Sequence, residues 1–475
     1  PPPHVAQKYR IPKIWKGDLE SDIGKSILNC DDNGPTVMMI VNMTIDPAAG
    51  PVAIGRLFSG TIKDGQTVNI IDTKREGRVQ SVNFFMSNIR EQVGELGAGN
   101  IPALLGLNEA RAGQTISTVK GIDLFEPSKY VSEPVVQMAI EPKHPKDLPQ
   151  LVETLRKLTI EDPNLIIKID EETGETIMAG MGVLHLDVSV NLIKDAKIDI
   201  ITSEPLINYR ETILGSSEVV MAKSPNRHNK IFMRVEPLEP EIAEMCRNGT
   251  LSEMNDKKEM AQILRDHGWE PDVAKKVMRF DSRGNVMING TKGVQFVDES
   301  TDSILSGFEE VMSEGGLTKE QVRNCKFTFT HFVPHEDTAH RGLSQIGPAS
   351  RRACLAAFLS AEPVLLEPML AIEVRVPTDL IGNVSSVLQG KRGKVLDMQQ
   401  KGATSIVIGE VPAVETFDIS EKMRGQTAGK AMWNTHFKAW TPVPKSIAAT
   451  LTEDIRKRKG LSPNPPEPTE FIDRD

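Results

Sequence analysis

The stretch HEDTAHRGLSQIG, His335 to Gly347, joins two predicted regular elements and guides the interpretation of the whole chain. It follows residues 326–333, where phenylalanines alternate with polar residues as in a half-buried strand. It precedes PASRRACLAAFL, which predicts a helix beginning near Pro348. The centre of the loop, residues 340–342, is His-Arg-Gly: an imidazole, a permanent cation and a position free to take a positive φ. These residue types favour contact with phosphates or bases over packing in a core.

Two alternatives compete with nucleic-acid contact. A histidine next to an arginine in a polar loop is most often a solvated side chain, and this alternative stays open. Zinc binding is the other, because HEDTAH resembles the HExxH motif. His335 and His340 are five residues apart, however, so on a helix they would point about 140° away from each other. His331 and His335 have the right spacing, but Pro334 between them disfavours a helix, and we predict no metal site.

Length and composition indicate a multidomain protein. At 475 residues and 39% hydrophobic content, the chain is long enough for three or four domains of ~100–200 residues. No apolar run approaches the ~20 residues that span a bilayer, and no signal peptide is evident, so we predict no membrane contact. The chain begins PPPH without methionine, and we expect that a preceding segment has been removed. The four cysteines form no CxxC pair, which favours a reduced, cytoplasmic setting over disulfides or zinc; they are Cys30, Cys246, Cys325 and Cys354.

The net charge of −9 and the pI near 5.7 argue against a general nucleic-acid coat, because nonspecific binding depends on Lys and Arg neutralising phosphates. Any contact with RNA must therefore be local. Basic residues gather in three short loops, each of which by itself is most simply a solvated surface: Lys223, Arg227, His228 and Lys230; His340 and Arg341; Lys391, Arg392 and Lys394.

Residues 1–36 lack periodicity and are predicted to be a linker that packs on the next domain. Within them, GDLESDIGKS imitates a phosphate-binding loop. Six residues separate Gly17 from Gly24 where the motif has four, and no strand precedes them, so their amides would not form the phosphate cradle. We predict no nucleotide site here.

The next two segments predict two folds in succession. Residues 37–128 contain short apolar runs divided by glycine turns, the pattern of a small closed β-barrel with no catalytic set. Residues 129–204 follow the order strand, helix, strand, strand, helix, strand of a ferredoxin-like βαββαβ domain. In this domain we predict that Asp147 caps the first helix, supported by Gln150, and that EETG at 171–174 forms a turn.

The same βαββαβ order returns in residues 363–440, so two ferredoxin-like domains bracket a middle region at residues 205–362. A last helix, Ser446 to Lys459, is predicted to return to the middle domain, which then also includes residues 441–460. The tail, residues 461–475, is proline-rich and acidic and is predicted to be disordered.

The middle region carries a second candidate loop, SPNRHNK, between two predicted strands. Its proline and asparagine favour a turn with Arg227 and His228 at the tip. Because both loops join elements of one domain and neither can bury itself, we predict that they lie side by side at its far end. Arg227, His228, His340 and Arg341 should then project outward.

The residues also resemble a known family, the archaeal and eukaryotic translocation factors of the elongation factor 2 type, without their GTP-binding domain. The matching motifs cover nearly all of the chain in the family's order: AQKYRIPKIW, KSPNRHNKI, DTAHRG, QIGPASRRA, EPML, IGNV and KRGKV. The resemblance implies a multidomain α+β protein. It would contain a translation-factor β-barrel, two ferredoxin-like βαββαβ domains and, between them, an α+β fourth domain of the ribosomal-protein-S5 type.

By the same resemblance, His340 matches the histidine that is converted to diphthamide and is the target of ADP-ribosylating toxins. The decoding-centre tip would comprise the first loop and part of the second: Ser224, Pro225, Asn226, Arg227, His228, Asn229, Lys230, Asp337, His340, Arg341 and Gly342. One departure is visible, since the family usually has GELHL where this chain has GVLHL at residues 182–186. The lost acidic residue puts a charge-dependent contact at that helix start in doubt.

The resemblance implies a ribosome-binding module that promotes GTP-dependent translocation of tRNA and mRNA. Its partners would be ribosomal RNA, tRNA and mRNA at the decoding centre, the GTPase-centre region of the large subunit, and the diphthamide-modifying enzymes. The chain would act as a cytoplasmic monomer, without cofactor and not as an enzyme, because GTP and Mg²⁺ would bind in the absent domain. The alternative is a fragment of a related GTPase of ribosome maturation or splicing, against which the intact DTAHRG loop argues.

Overall fold

A computed structural model of the chain describes residues 1–46, 48–86, 89–126, 133–169, 175–252 and 255–474. These residues form two compact units, Pro1–Ile207 and Asn208–Asp475. Within the described ranges, no helix is both long and apolar enough to cross a membrane. The domain boundaries within each unit stay a prediction.

The N-terminal segment, predicted as a linker that packs on the next domain, contains helices that the sequence did not predict. It contains α1 (Pro3–Ile14) and α2 (Asp22–Asn29). Ile11 and Ile27 are fully buried in a small cluster with Phe58. The Ser21 side chain caps α2 by accepting from the Gly24 amide over 3.0 Å. That amide is therefore already bonded in the segment that imitates a phosphate-binding loop.

The predicted barrel strands are present and surround an apolar core that includes Met38, Leu57 and Leu104. Their hydrogen-bonded order is β5-β4-β10-β1-β2-β9-β6-β7, with a separate β3-β8 pair. The sequence predicted a closed barrel, whereas among the described residues the first and last strands of this sheet are not paired with each other. The strands are β1 (Val37–Asp46), β2 (Gly50–Ser59), β3 (Thr61–Lys63), β4 (Thr67–Ile70), β5 (Arg75–Arg78), β6 (Ser81–Met86), β7 (Ile89–Gln92), β8 (Glu95–Gly97), β9 (Ala103–Leu105) and β10 (Thr115–Ser117).

A ferredoxin-like domain completes the first unit and confirms the predicted βαββαβ order. Its elements are β11 (Val136–Pro142), α3 (Leu148–Glu161), β12 (Ile166–Ile169), β13 (Thr176–Gly180), α4 (Val183–Asp195), β14 (Ile200–Thr202) and the short β15 (Leu206–Ile207). The strand order is β12-β13-β11-β14. Asp147 occupies the N-cap position of α3 as predicted, but its side chain makes no capping bond. A 3-10 turn leads into the helix, and Gln150 donates to the Ala196 carbonyl instead of supporting the cap. The EETG turn lies outside the described residues.

The middle region of the second unit contains a sheet of order β17-β18-β21-β20-β19. Its elements are β16 (Arg210–Ile213), β17 (Val220–Lys223), β18 (Lys230–Pro237), α5 (Pro240–Arg247), α6 (Lys257–Asp266), α7 (Pro271–Ala274), β19 (Val277–Asp281), β20 (Asn285–Asn289), α8 (Val297–Ser313), β21 (Cys325–Val333) and α9 (Leu343–Leu359). The alternation predicted for β21 is confirmed, since Phe327 and Phe329 are fully buried beside Phe308 of α8.

Helix α9 begins five residues earlier than predicted, at Leu343, and contains Pro348 within its first turns. Helices α8 and α9 approach closely at Gly307, where a Cβ atom would lie 2.5 Å from the Gly347 carbonyl oxygen. The Ser350 hydroxyl also donates to the Ile304 carbonyl over 2.7 Å. This contact fixes the helix that follows the His340 loop against the domain core.

The second ferredoxin-like domain repeats the first, with the order β23-β24-β22-β25. Its elements are β22 (Pro363–Pro377), α10 (Ile381–Gly390), β23 (Lys394–Lys401), β24 (Thr404–Pro412), α11 (Ile419–Thr427) and β25 (Met432–Pro442). The final helix α12 (Lys445–Arg458) ends near Gly460, which has φ +67°, as the sequence predicted. The tail differs from the predicted disorder, because Phe471 and Ile472 pack against the core of the middle region.

Candidate functional site

The first loop, Ser224–Lys230, is a compact turn between β17 and β18. The Ser224 amide donates to the Asn229 carbonyl over 2.9 Å, and the Arg227 amide donates to the Ser224 carbonyl over 2.7 Å. The Asn226 carboxamide oxygen accepts from the His228 amide over 3.1 Å. Arg227 takes a left-handed conformation with φ +62°, which turns the chain back at the tip. The local sequence therefore builds the loop from its own polar side chains.

The second loop, Pro334–Gly342, connects β21 to α9. Asp337 caps a short 3-10 turn, Thr338–His340, by accepting from the Ala339 amide over 2.9 Å. Gly342 precedes α9 with φ −65°, so this glycine does not use the positive φ that is open to it. The left-handed residue of the site is instead Arg227, in the first loop.

The two loops lie side by side, as the sequence predicted, and are joined by hydrogen bonds. The Asn229 carboxamide donates to the His340 carbonyl over 2.7 Å and accepts from the His335 amide over 2.9 Å. The backbone amide of Asn226 donates to the side-chain oxygen of Gln345 over 3.0 Å. The sequence placed Asn226 and Asn229 at the tip but did not show that they connect the two loops. Their partners lie more than 100 positions away, and a local sequence pattern carries no information about such distant contacts.

Three imidazole rings cluster between the paired loops. The ring centroids of His335 and His340 are 4.7 Å apart. The ring centroid of His228 lies 5.0 Å from that of His335 and 5.2 Å from that of His340. His335 accepts at Nδ1 from the Asp337 amide over 3.1 Å, which places its ring proton on Nε2 when it is neutral. Sequence reasoning missed His335 as a member of the site, although it considered the residue as a zinc ligand. Among the described residues, no group of three or more His, Cys, Asp or Glu side chains is arranged to hold a metal ion.

Arg341 does not project outward, which corrects the prediction for this residue. It is only 7% exposed, and its guanidinium carbon lies 3.8 Å from the centroid of the Phe296 ring. Its Nη1 atom also lies 3.3 Å from a Glu299 carboxylate oxygen. Both partners belong to the segment around the start of α8, so Arg341 ties the second loop to the domain. Its role in the structure is packing, and it offers little surface to a ligand.

The remaining predicted residues differ in their access to solvent. Ser224 and Asn229 are buried and hold the loop together, while Asn226, Lys230 and His340 are half-buried. The exposed residues are Pro225, Arg227, His228, Asp337 and Gly342. The surface available for binding is therefore Arg227 and His228 together with the accessible part of His340.

The third predicted basic cluster is paired internally. Lys391 lies 2.5 Å from Asp418, and the hydrogen bond between them raises the pKa of the Lys391 ammonium. Arg392 donates to both oxygens of the buried Glu367 carboxylate over 2.9 Å and to Glu415 over 2.8 Å. These two cations are therefore paired with acidic neighbours inside their own domain.

Val183 lies at the start of α4, where the resemblance led us to expect an acidic residue, and a polar contact is found nearby. His185 accepts at Nδ1 from the Met181 amide over 3.1 Å, and its Nε2 lies 2.6 Å from Asp162. This hydrogen bond lowers the pKa of the Asp162 carboxyl, with a smaller opposing effect from burial. A polar contact therefore holds the helix start without that acidic residue.

Four family models match successive parts of the chain: elongation factor Tu domain 2 at residues 50–117, elongation factor G domain III at 131–204, elongation factor G domain IV at 249–362, and the elongation factor G C-terminus at 364–451. A barrel-type sheet, two βαββαβ domains and a loop-bearing domain between them, matched in this order, define a translation factor of the elongation factor G type.

The curated relatives are more specific. The chain is 72% identical over 475 residues to elongation factor 2 of Cenarchaeum symbiosum, and the match covers all of this chain and 65% of that protein. It is 48% identical to the elongation factor 2 proteins of Sulfurisphaera tokodaii and Metallosphaera sedula, over 99% of this chain and again 65% of theirs. The chain belongs to the elongation factor 2 family, and it spans about two thirds of the length of these relatives.

Proposed function

We propose that this chain is the ribosome-binding part of an elongation factor that promotes GTP-dependent translocation of tRNA and mRNA, with the paired loops entering the decoding centre. The observation that carries the proposal is the joined tip, in which Asn229 and Asn226 hold the His340 carbonyl between the loops. A fixed tip of this kind can insert into an RNA groove without first paying the entropy of ordering two free loops.

The chemistry of the exposed tip suits RNA. Arg227 supplies a planar cation for phosphates, and the imidazoles of His228 and His340 can stack on bases or donate hydrogen bonds. The net charge of the chain is −9, so attraction to RNA has to be local, and the exposed Arg227 at the turn of the first loop provides it. Partners of this site would be ribosomal RNA, tRNA and mRNA.

His340 is the residue that we propose is converted to diphthamide. Its carbonyl is anchored by Asn229, while its ring is half-buried at the surface beside His228 and His335, so an enzyme can reach the ring of a residue whose backbone is held. A peptide mass spectrum covering residues 332–351 tests this assignment in material from the natural host. A mass equal to the unmodified sequence in that material would refute it.

The remaining partners follow from the family and are proposals for this chain. They are the GTPase-centre region of the large subunit and the diphthamide-modifying enzymes, with the factor acting as a cytoplasmic monomer. We propose that this chain alone does not hydrolyse GTP, because its phosphate-loop imitation is a capped helix start. The alternative is a relative that acts in ribosome maturation or splicing. Such a protein would not need a modified histidine, so the DTAHRG sequence favours translocation.

Translocation assays test the proposal directly, using a protein in which this chain is extended to the full length of its elongation factor 2 relatives. Arg227→Ala should slow single-round translocation of mRNA and tRNA on ribosomes. Arg234→Ala, which removes an exposed arginine from β18 in the same domain, is the matched control and should leave the rate unchanged. An unchanged rate in Arg227→Ala would remove the proposed role of the tip.

A further inference from the structure

The tail segment Phe471–Arg474 lies at the base of the first loop. Strand β17 is the edge of its sheet, so alternate backbone groups of this strand lack a partner strand. Asp473 bonds two of these groups: its amide donates to the Met221 carbonyl over 2.9 Å, and its carboxylate accepts from the Lys223 amide over 2.8 Å. The tail thus replaces a neighbouring strand at the position where β17 leads into Ser224.

A second set of contacts connects the tail to the other loop. Arg352 of α9 donates from Nη1 to the Asp473 carboxylate over 2.9 Å and reaches the Lys223 carbonyl at 3.4 Å. The Lys223 ammonium donates to the Arg474 carbonyl over 2.7 Å. Since α9 follows the second loop directly, one carboxylate joins the base of the first loop to the helix that carries the second.

Apolar packing keeps this carboxylate in place. Phe471 and Ile472 pack against the core of the middle region, and the preceding 3-10 turn, Pro468–Glu470, contacts α9. Glu467 and Glu470 close that turn with a reciprocal capping box. The segment is therefore anchored before Asp473 by this packing, and after it by the Arg474 carbonyl, which accepts from Lys223.

We propose that the tail segment Phe471–Arg474 is a strap that positions the paired loops, with Asp473 as its central positioning residue. Losing the Asp473 carboxylate frees the Lys223 amide and removes the partner of Arg352, which reaches the Lys223 carbonyl, and the first loop then pivots on a loosened edge strand. The inference rests on the proposed function only for its effect on translocation; the positioning itself is a property of this chain.

Hydrogen–deuterium exchange on the full chain tests the positioning. In Asp473→Asn, exchange in peptides covering residues 219–230 should accelerate by about tenfold or more, because a charge-assisted bond is replaced by a weaker one. Peptides of β21 should keep their rates. Asp302→Asn, at an exposed position on α8, is the matched control. Unchanged exchange in residues 219–230, or equal acceleration throughout α8, α9 and β21, would overturn the proposal.

Two further variants keep the test decisive. Deletion of residues 471–475 should reproduce the Asp473→Asn effect, and if the deleted chain does not fold, Arg352→Lys provides the second measurement from the other partner of the ion pair. Asp473→Glu should restore slow exchange at least in part. A Glu variant as fast as the Asn variant would show that the charge is not what holds the loop, and would overturn the role of Asp473.

In the completed factor, Asp473→Asn should lower the maximal translocation rate while leaving the factor concentration at half-saturation unchanged, because the tip is displaced but its binding groups remain. Faster exchange combined with an unchanged translocation rate would overturn the functional part of the inference. Failure of Arg227→Ala to affect translocation would instead reject the proposed function, and the exchange result on the chain would still stand.

Discussion

The carboxamide of Asn229 donates to the backbone carbonyl of His340, 111 positions along the chain, over 2.7 Å. Asn229 is fully buried, and its oxygen also accepts from the His335 amide. One side chain therefore satisfies a donor and an acceptor of the second loop at once. The tip depends on this residue more than on any of the exposed residues around it.

Asn229→Ala should destabilise the chain by ~1–3 kcal/mol, because the His340 carbonyl and the His335 amide lose their partner. Urea denaturation of the whole chain, followed by circular dichroism, measures the change in the free energy of unfolding. Pro225→Ala, at an exposed position of the same loop, should stay within ~0.5 kcal/mol of the parent. Equal stability of the two variants would contradict the interpretation of Asn229 as the connection between the loops.

Arg341→Ala and Arg227→Ala should separate packing from binding. Loss of the Arg341 guanidinium uncovers the Phe296 ring and leaves Glu299 unpaired, so we expect a cost of ~1–3 kcal/mol in unfolding free energy. Arg227 is exposed, so its removal should cost no more than ~0.5 kcal/mol. Thermal unfolding of both variants checks the order, and a more stable Arg341→Ala variant would show that the buried contact is not what holds the loop.

Asp162 makes the stability of the first unit dependent on pH. The hydrogen bond from His185 lowers its pKa below the usual 3.8, so its stabilisation is present above the unfolded value and is lost as the pH falls through the folded value. Asp162→Asn should therefore be less stable than the parent at neutral pH, and the difference should shrink below about pH 3.8. Urea denaturation across this range measures both, with the exposed Asp187→Asn as control. A constant difference at every pH would rule out the charge of Asp162 as the cause.

Arg392→Lys should destabilise the second ferredoxin-like domain although the charge is kept. A lysine cannot donate to both oxygens of Glu367 and to Glu415 at once, and the Glu367 side chain is only 5% exposed. We expect a loss of ~1–3 kcal/mol, measured by calorimetric unfolding. Arg424→Lys on the exposed surface of α11 should have no measurable effect. Matching unfolding temperatures for the two variants would contradict the bidentate contact as a source of stability.

Titration with GTP or GDP should give no saturable heat at micromolar protein. In the sequence that imitates a phosphate loop, the Gly24 amide donates to Ser21, and a Cβ at Gly24 would lie 2.3 Å from the Asp18 carbonyl oxygen, so the turn is filled by its own backbone. Isothermal titration calorimetry of this chain makes the measurement. Saturable binding that is lost in Lys25→Ala would show that the segment holds phosphate after all.

The sequence predicted those parts of the fold in which periodicity reports burial. Alternation identified β21, and the apolar spacing of Leu151, Leu155 and Leu158 identified α3. Helix α1 escaped prediction because only Gln7 and Ile11 of its residues are buried, which is too few for an apolar stripe. The tail escaped for a similar reason, since its anchors are two isolated apolar residues within a proline-rich segment.

The pairing of the two loops was predicted, but the contacts within the pair were not. Local residue types indicated two polar loops, and their place between elements of one domain indicated that they meet. The burial of Arg341 depends on Phe296, which takes a left-handed conformation with φ +62° more than 40 positions earlier. Composition of the loop carries no signal for such a partner, so every arginine near the tip was predicted to be exposed.

Strand β22 is a single fifteen-residue element shared by two structural neighbourhoods. Its first residues pair with β16, whose Glu211 is in turn bonded through its backbone to Gln321 and Arg323 just before β21, and its later residues pair with β24 and β25. Backbone hydrogen bonds therefore connect the second ferredoxin-like sheet, through β16, to the residues that lead into β21, the strand that ends at the His340 loop. The direction of that strand is thus tied to the sheet by main-chain contacts, which substitutions of exposed side chains leave in place.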